Sequence, residues 1–128
     1  MAELKRIMYV EDEPDIRAVA ELALVSVGGF EVMLCESGED ALARVDGFQP
    51  DLILLDVMMP RLDGPETLQA LRQKPGLAEV PVAFMTAKVQ SSEVESYKAL
   101  GAIDVIAKPF DPMTLSDKVQ GIWDQHVG

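Results

Sequence analysis

Four places in the sequence set a polar, potentially reactive side chain at the end of an apolar run. Asp51-Leu52-Ile53-Leu54-Leu55-Asp56 is bracketed by carboxylates; Glu11 and Asp12 follow Ile7-Met8-Tyr9-Val10; Thr86 closes the run from Val80; Lys108 follows Ile103 to Ala107. Grouped carboxylates suit a cation held by oxygen ligands, and a carboxylate beside a cation and an ammonium suits nucleophilic chemistry. A carboxylate just after a strand is more often a solvated loop residue or a helix cap. Asp56 does not fit the capping role, because Pro60 and the Asp63-Gly64-Pro65 turn intervene before the next helix. A loop position at a strand end favours a functional residue, and Asp56 is the candidate for the reactive one.

The elements that must position these groups follow from the pattern of apolar residues. Four consecutive branched aliphatics before Asp56, with no polar alternation, predict a strand buried on both faces. Ile7–Val10 predicts a first strand. Pro14 opens a helix with Ile16, Val19, Ala20, Ala23, Leu24 and Val27 on one face, stopped by Gly28-Gly29. Phe30–Cys35 predicts a second strand, and Ser37 with Asp40 the cap of a second helix with Ala41, Leu42 and Val45 inward, ended by Gly47 and Pro50. After the central strand, Asp63-Gly64-Pro65 opens a third helix with Leu68 and Leu71 inward, closed by Pro75-Gly76. A fourth strand spans Val80–Thr86, with Pro81 near its start; Ser92 with Glu95 caps a fourth helix to about Ala99; Ile103–Ala107 is a fifth strand. Asp111-Pro112 starts a last helix with Leu115, Val119, Ile122 and Trp123 on one face. Five strands alternating with five helices predict a doubly wound α/β fold with a parallel sheet.

If the strand order is the flavodoxin-like 2-1-3-4-5, strands one and three are neighbours at the point where ligands bind, and adjacent strands lie about 4.8 Å apart. Glu11, Asp12 and Asp56 therefore crowd. Two unit charges about 5 Å apart repel by roughly 3 kcal/mol at an effective dielectric near 20. A divalent cation would relieve this, and a site of few protein oxygens suits Mg2+, with Lys108 as a further positive charge.

Composition excludes several other classes. The 128 residues suffice for one compact domain, and 48% hydrophobic with 5% aromatic content marks an aliphatic globular chain. With 22 acidic against 11 basic residues, the formal charge of -11 disfavours direct binding to nucleic acid or an anionic membrane. Cys35 is the only cysteine, so no internal disulfide forms. The absence of a membrane-length apolar run or a signal-peptide start predicts a cytoplasmic protein.

Tyr9-Val10-Glu11-Asp12-Glu13-Pro14, Asp51 to Pro60, Asp63-Gly64, Met85-Thr86-Ala87 and Ala107-Lys108-Pro109-Phe110 resemble the motifs of response-regulator receiver domains of two-component signalling, in order along nearly the whole chain. The resemblance implies a flavodoxin-like receiver fold over residues 1–128 with no output domain, acting as a signalling switch rather than an enzyme. It implies Asp56 as phosphoacceptor, Asp12 and Asp56 as direct Mg2+ ligands, Glu11 through a metal-bound water, and the Met58 carbonyl completing the shell. Thr86 and Lys108 would each bind a phosphoryl oxygen, Ala87 would leave room for that group, and Lys108-Pro109 is similar to a bond that is cis in the family. Three carboxylates, a divalent cation and Lys108 sum to about zero charge, so an incoming phosphoryl group needs both the metal and the lysine.

The partners implied are a histidine kinase or phosphotransfer protein, and a downstream protein on the face of the fourth helix, fifth strand and fifth helix, where Val105 and Tyr97 lie. The protein is expected to be a monomer or weak homodimer. Val105 stands where the family often has an aromatic that moves on activation, and Glu11 replaces a more frequent aspartate. A phosphohydrolase of the haloacid dehalogenase type would carry a second acid two residues after its aspartate, where this chain has Met58. A flavodoxin-like cofactor binder would need a hydroxyl- and glycine-rich loop where Glu11-Asp12-Glu13 stands. A receiver serving as a phosphorylation-independent docking module is the third alternative, which the complete set of acids, threonine and lysine disfavours.

Overall fold

The computed structural model describes residues 3–128. Five strands, β1 (Arg6–Val10), β2 (Glu31–Cys35), β3 (Leu52–Asp56), β4 (Val82–Thr86) and β5 (Asp104–Ala107), form one sheet in the order β2-β1-β3-β4-β5. Every pairing is parallel. The helices are α1 (Pro14–Glu21), which continues as a π-helical stretch over Leu22–Val27, α2 (Gly38–Phe48), α3 (Gly64–Arg72), α4 (Ser91–Ala99) and α5 (Leu115–Val127).

β3 is central, and each of its residues is buried. Side chains alternate across the sheet, so Ile53 and Leu55 join the core with Met8, Val10 and Phe84 under Ala41, Val45, Leu68 and Leu71 of α2 and α3. Leu52 and Leu54 join Ile7, Tyr9, Ala83 and Met85 under Ala20, Leu24, Val119 and Trp123 of α1 and α5. Burying an aliphatic side chain stabilises the fold by about 1.5–3 kcal/mol, so this unalternating run contributes to both cores at once.

The capping of α2 and α3 is as their sequences predict. Ser37 Oγ accepts from the Asp40 amide at 2.9 Å. Asp63 Oδ1 accepts from the Glu66 amide at 2.9 Å while Glu66 Oε1 accepts from the Asp63 amide at 3.1 Å. α2 runs through Gly47 and ends at Phe48, with Gln49 left-handed at φ 54°. Gly64 is required by close approach: a Cβ there would lie 2.6 Å from the Asp56 carbonyl oxygen and 2.8 Å from Val57 Cα. Its amide donates to the Val57 carbonyl at 2.9 Å, so α3 begins directly behind the end of β3.

Elsewhere the structure departs from expectation. α4 starts at Ser91 with Gln90 as its N-cap and no side-chain cap, so Ser92 and Glu95 are not a capping pair. No residue of α4 is fully buried, so packing does not fix its first turn. β4 begins at Val82, after Pro81, which lacks the amide a ladder needs. Asp111 and Pro112 belong to a turn before α5, where Asp111 Oδ1 accepts from the Met113 amide at 2.9 Å. Val19 and Val27, predicted to face inward, are exposed. The wide π turn, with Gly28 donating to Ala23 at 3.1 Å, shifts the phase of the helix and turns Val27 outward; Val19 lies at the margin of the apolar stripe. No helix among the described residues is long and apolar enough to cross a membrane.

Candidate functional site

The carboxyl ends of β1, β3, β4 and β5 form one row. Val10 pairs with Leu55, Asp56 with Met85, and Thr86 with Ala107, so the residues at or just beyond those ends lie side by side. Glu11 extends the ladder by one bond, its amide donating to the Cys35 carbonyl at 3.0 Å. The Lys108 amide donates to the Thr86 carbonyl at 2.9 Å, which fixes where the lysine side chain leaves the sheet. The Lys108-Pro109 peptide is cis.

Lys108 Nζ donates to Glu11 Oε1 at 2.7 Å and to Asp56 Oδ1 at 3.1 Å. Glu11 is fully buried and Asp56 nearly so, at 0% and 3% exposure, which makes this pair of contacts the electrostatic centre of the row. Glu11, Asp12 and Asp56 each present a carboxylate oxygen, and these atoms lie within 4.8 Å of one another. The lining of a single depression contains Glu11, Asp12, Asp56, Met58, Thr86, Ala87 and Lys108. The structure therefore brings together every residue expected there. Val105 and Tyr97 lie outside it. Both are half-buried, and the Tyr97 ring meets Phe84 edge-on, with centroids 5.3 Å apart.

Crowding is visible in the ionisation of the site. The Glu11 carboxyl is pushed up to about 7, chiefly by burial, with the Lys108 hydrogen bond opposing and the Asp56 charge adding to the shift. Burial works against the Lys108 ammonium, but hydrogen bonds to Glu11 and Asp56 more than offset it, so its pKa is raised. One lysine thus leaves the acid group short of positive charge. The donors are hard carboxylate oxygens close enough to share one ion, which fits Mg2+, with room for waters in the open depression.

Several contributors carry no signal of their own in the sequence. Arg17 Nη1 donates to the Glu11 carbonyl at 2.7 Å and braces the loop after β1, a contact six residues apart that no local motif announces. The Glu13 amide reaches Glu11 Oε2 at 3.3 Å. Thr86 Oγ1 accepts from the Lys88 amide at 3.1 Å, tying the hydroxyl to the loop before α4. Tyr9 differs in carrying a readable signal: two residues before Glu11, it lies on the same face of β1 by strand parity.

Residues 7–120 match the family described as response regulator receiver domain. The chain is 36% identical over 118 residues to the alkaline phosphatase synthesis transcriptional regulatory protein PhoP of Bacillus subtilis (strain 168), covering 92% of this chain and 48% of that protein. It thus spans about half the length of the curated relatives it matches. Among solved structures it is similar to the Vibrio cholerae chemotaxis protein CheY4, with TM-score 0.85 and 29% identity, covering 94% of this chain and 99% of that one. A putative response regulator from Chloroflexus aurantiacus gives TM-score 0.83 and 31% identity, covering 95% and 99%.

Proposed function

Since the chain belongs to the response regulator receiver domain family, a family of signalling switches in two-component systems, we propose that Asp56 is its phosphoacceptor. Asp56 Oδ attacks the phosphorus of a phosphohistidine on a partner kinase or phosphotransfer protein; the new O–P bond forms as the P–N bond breaks, and the imidazole leaves with its electron pair. Asp12, Asp56 and the Met58 carbonyl would hold Mg2+, with Glu11 contributing through water. The metal supplies positive charge against the transferring phosphoryl oxygens.

The chain's own residues do the rest. Lys108 turns from the carboxylates to a phosphoryl oxygen, and Thr86 Oγ1 exchanges its contact with the Lys88 amide for another phosphoryl oxygen. Ala87 keeps the mouth of the site clear. The Thr86 exchange releases the loop before α4, a helix with no fully buried residue, so the face of α4, β5 and α5 changes shape. Val105 and Tyr97 lie on that face, which meets the downstream protein. Hydrolysis of the acyl phosphate restores the resting state.

The observation that carries this reading is Lys108 Nζ bridging Glu11 and Asp56 beside three carboxylates gathered within 4.8 Å. Treatment with acetyl phosphate and Mg2+, followed by intact-protein mass spectrometry, is the test. Wild type should gain one base-labile phosphoryl group and Asp56→Asn none. A wild type that stays unmodified overturns the assignment.

A further inference from the structure

Among the described residues, one buried side-chain polar atom has no hydrogen-bond partner: the hydroxyl of Tyr9. Tyr9 is fully buried next to the carboxyl end of β1, in the core cluster that includes Ala20, Leu54, Ala83 and Met85. It pairs in register with Leu54 of β3, two residues below Asp56, and stands two residues below Glu11. Strand parity puts Tyr9, Glu11, Leu54 and Asp56 on one face, with Tyr9 one pleat beneath the acid row. A phenol burying its hydroxyl without a partner weakens the fold relative to phenylalanine, so the resting protein carries a group whose benefit must appear in another state.

The acid row supplies that state. At rest Lys108 is the side-chain donor to Glu11 Oε1, at 2.7 Å, and the other oxygen has only the Glu13 amide at 3.3 Å. When Lys108 moves to a phosphoryl oxygen on Asp56, Glu11 becomes a buried carboxylate that has lost its strong donor. The Tyr9 side chain lies on the same face, one row away, and its phenol feels the charges of both Glu11 and Asp56. It stays protonated, because burial first, then the Glu11 and Asp56 charges, hold its pKa far above the ordinary tyrosine range. The glutamate arm is one methylene longer than an aspartate and can swing one oxygen towards the pleat below while the other faces the metal-bound water.

We propose that Tyr9 is a positioning residue for the phosphorylated state, its hydroxyl idle at rest and donating to the Glu11 carboxylate once Lys108 has turned to the phosphoryl group. Tyr9 thereby biases the switch toward its phosphorylated form at the expense of resting stability. This rests on the phosphoacceptor reading of Asp56 given above.

The test compares wild type with Tyr9→Phe by thermal unfolding, first without metal and then with Mg2+ and beryllofluoride as the phosphoryl mimic. Without metal, Tyr9→Phe should raise Tm by roughly 3 °C or more, because a desolvated hydroxyl is gone. Its apparent affinity for beryllofluoride should fall by about tenfold, since the Glu11 oxygen vacated by Lys108 then has no side-chain donor in its place. The two shifts oppose each other, which a packing defect would not produce. A Phe variant no more stable than wild type, or one that binds beryllofluoride as tightly, overturns the proposal. If wild type itself gains no stability from Mg2+ and beryllofluoride, the phosphoacceptor reading falls and takes this one with it.

Discussion

Asp51 and Asp56 bracket the same four aliphatic residues, and their surroundings are opposite. Asp51, at the amino end of the sheet, has one oxygen accepting from the amides of Lys5 at 3.0 Å and Arg6 at 2.9 Å. Its own amide donates to the Arg6 carbonyl at 2.8 Å, so it pins the start of β1 to the start of β3. Other charges at that end are likewise spent on backbone: Arg6 donates to the Phe48 carbonyl, and Arg72 to those of Leu77 and Val80. Asp56 instead shares one lysine with a fully buried glutamate and has a third carboxylate within 4.8 Å. Charges at the amino end complete the fold. At the carboxyl end they oppose one another and have capacity left for a ligand. The contrast separates a structural carboxylate from the proposed phosphoacceptor where residue type and strand cannot.

The contrast breaks most visibly at the lysines. Lys108→Met should destabilise the metal-free protein at neutral pH by about 3–5 kcal/mol, because it strands two buried carboxylates. Lys74→Met, near the amino end, removes an ion pair to the largely exposed Asp46 and should cost no more than about 1 kcal/mol. Urea unfolding of the two variants measures the ratio. Equal effects would mean that the carboxyl end is as well compensated as the other.

A second, smaller effect is the dependence on pH. The folded Glu11 carboxyl titrates at about 7 against 4.5 for an unperturbed glutamate. A raised carboxyl contributes stability that is fully present below about 4.5 and is lost as pH rises through 7, on the order of 3 kcal/mol over the window. Urea melts of the metal-free protein from pH 4.5 to 8 should show that fall, and Glu11→Gln should remove it. Mg2+ should restore stability more at pH 8 than at pH 5, since the ion competes with the proton for the same oxygens. A wild-type profile parallel to that of Glu11→Gln would show that Glu11 is not under this strain.

The sequence reveals these two ends unequally. The central place of β3 is legible because Leu52 to Leu55 cannot be half-exposed, and the candidate functional end because acids, a hydroxyl and a lysine all fall after strands. The helix starts at Ser37 and Asp63 are legible because their bonds are local. At α4, Ser92 and Glu95 match a capping pattern, but the helix is capped by Gln90 and no buried side chain fixes the turn, so local pattern alone misplaces the start by two residues. The π turn is illegible because it depends on packing: a Cβ on Gly28 would lie 2.7 Å from Ser116 Cβ, a contact between segments far apart in the chain. The staple role of Asp51 was hidden for the same reason, its partners being the amides of residues 45 and 46 positions away.

That staple gives the smallest of these effects and separates the two aspartates most cleanly. Asp51→Ala leaves the exposed Lys5 and Arg6 amides without their shared acceptor at the entry of β1. Two charge-assisted bonds in an exposed setting should cost about 1–2 kcal/mol in urea unfolding. Asp51→Asn retains an oxygen able to accept from both amides and should cost only about 1 kcal/mol, since it loses charge but not geometry. Neither change touches the acid row, so both variants should take up a phosphoryl group from acetyl phosphate as wild type does. Asp56→Asn should show the reverse pattern, with no phosphoryl uptake and a metal-free fold at least as stable as wild type, because one member of the crowded acid group has become neutral. If Asp51→Asn lost phosphoryl uptake while keeping its stability, the two ends of β3 would be coupled through the strand, and the division between a structural end and a reactive end would fail.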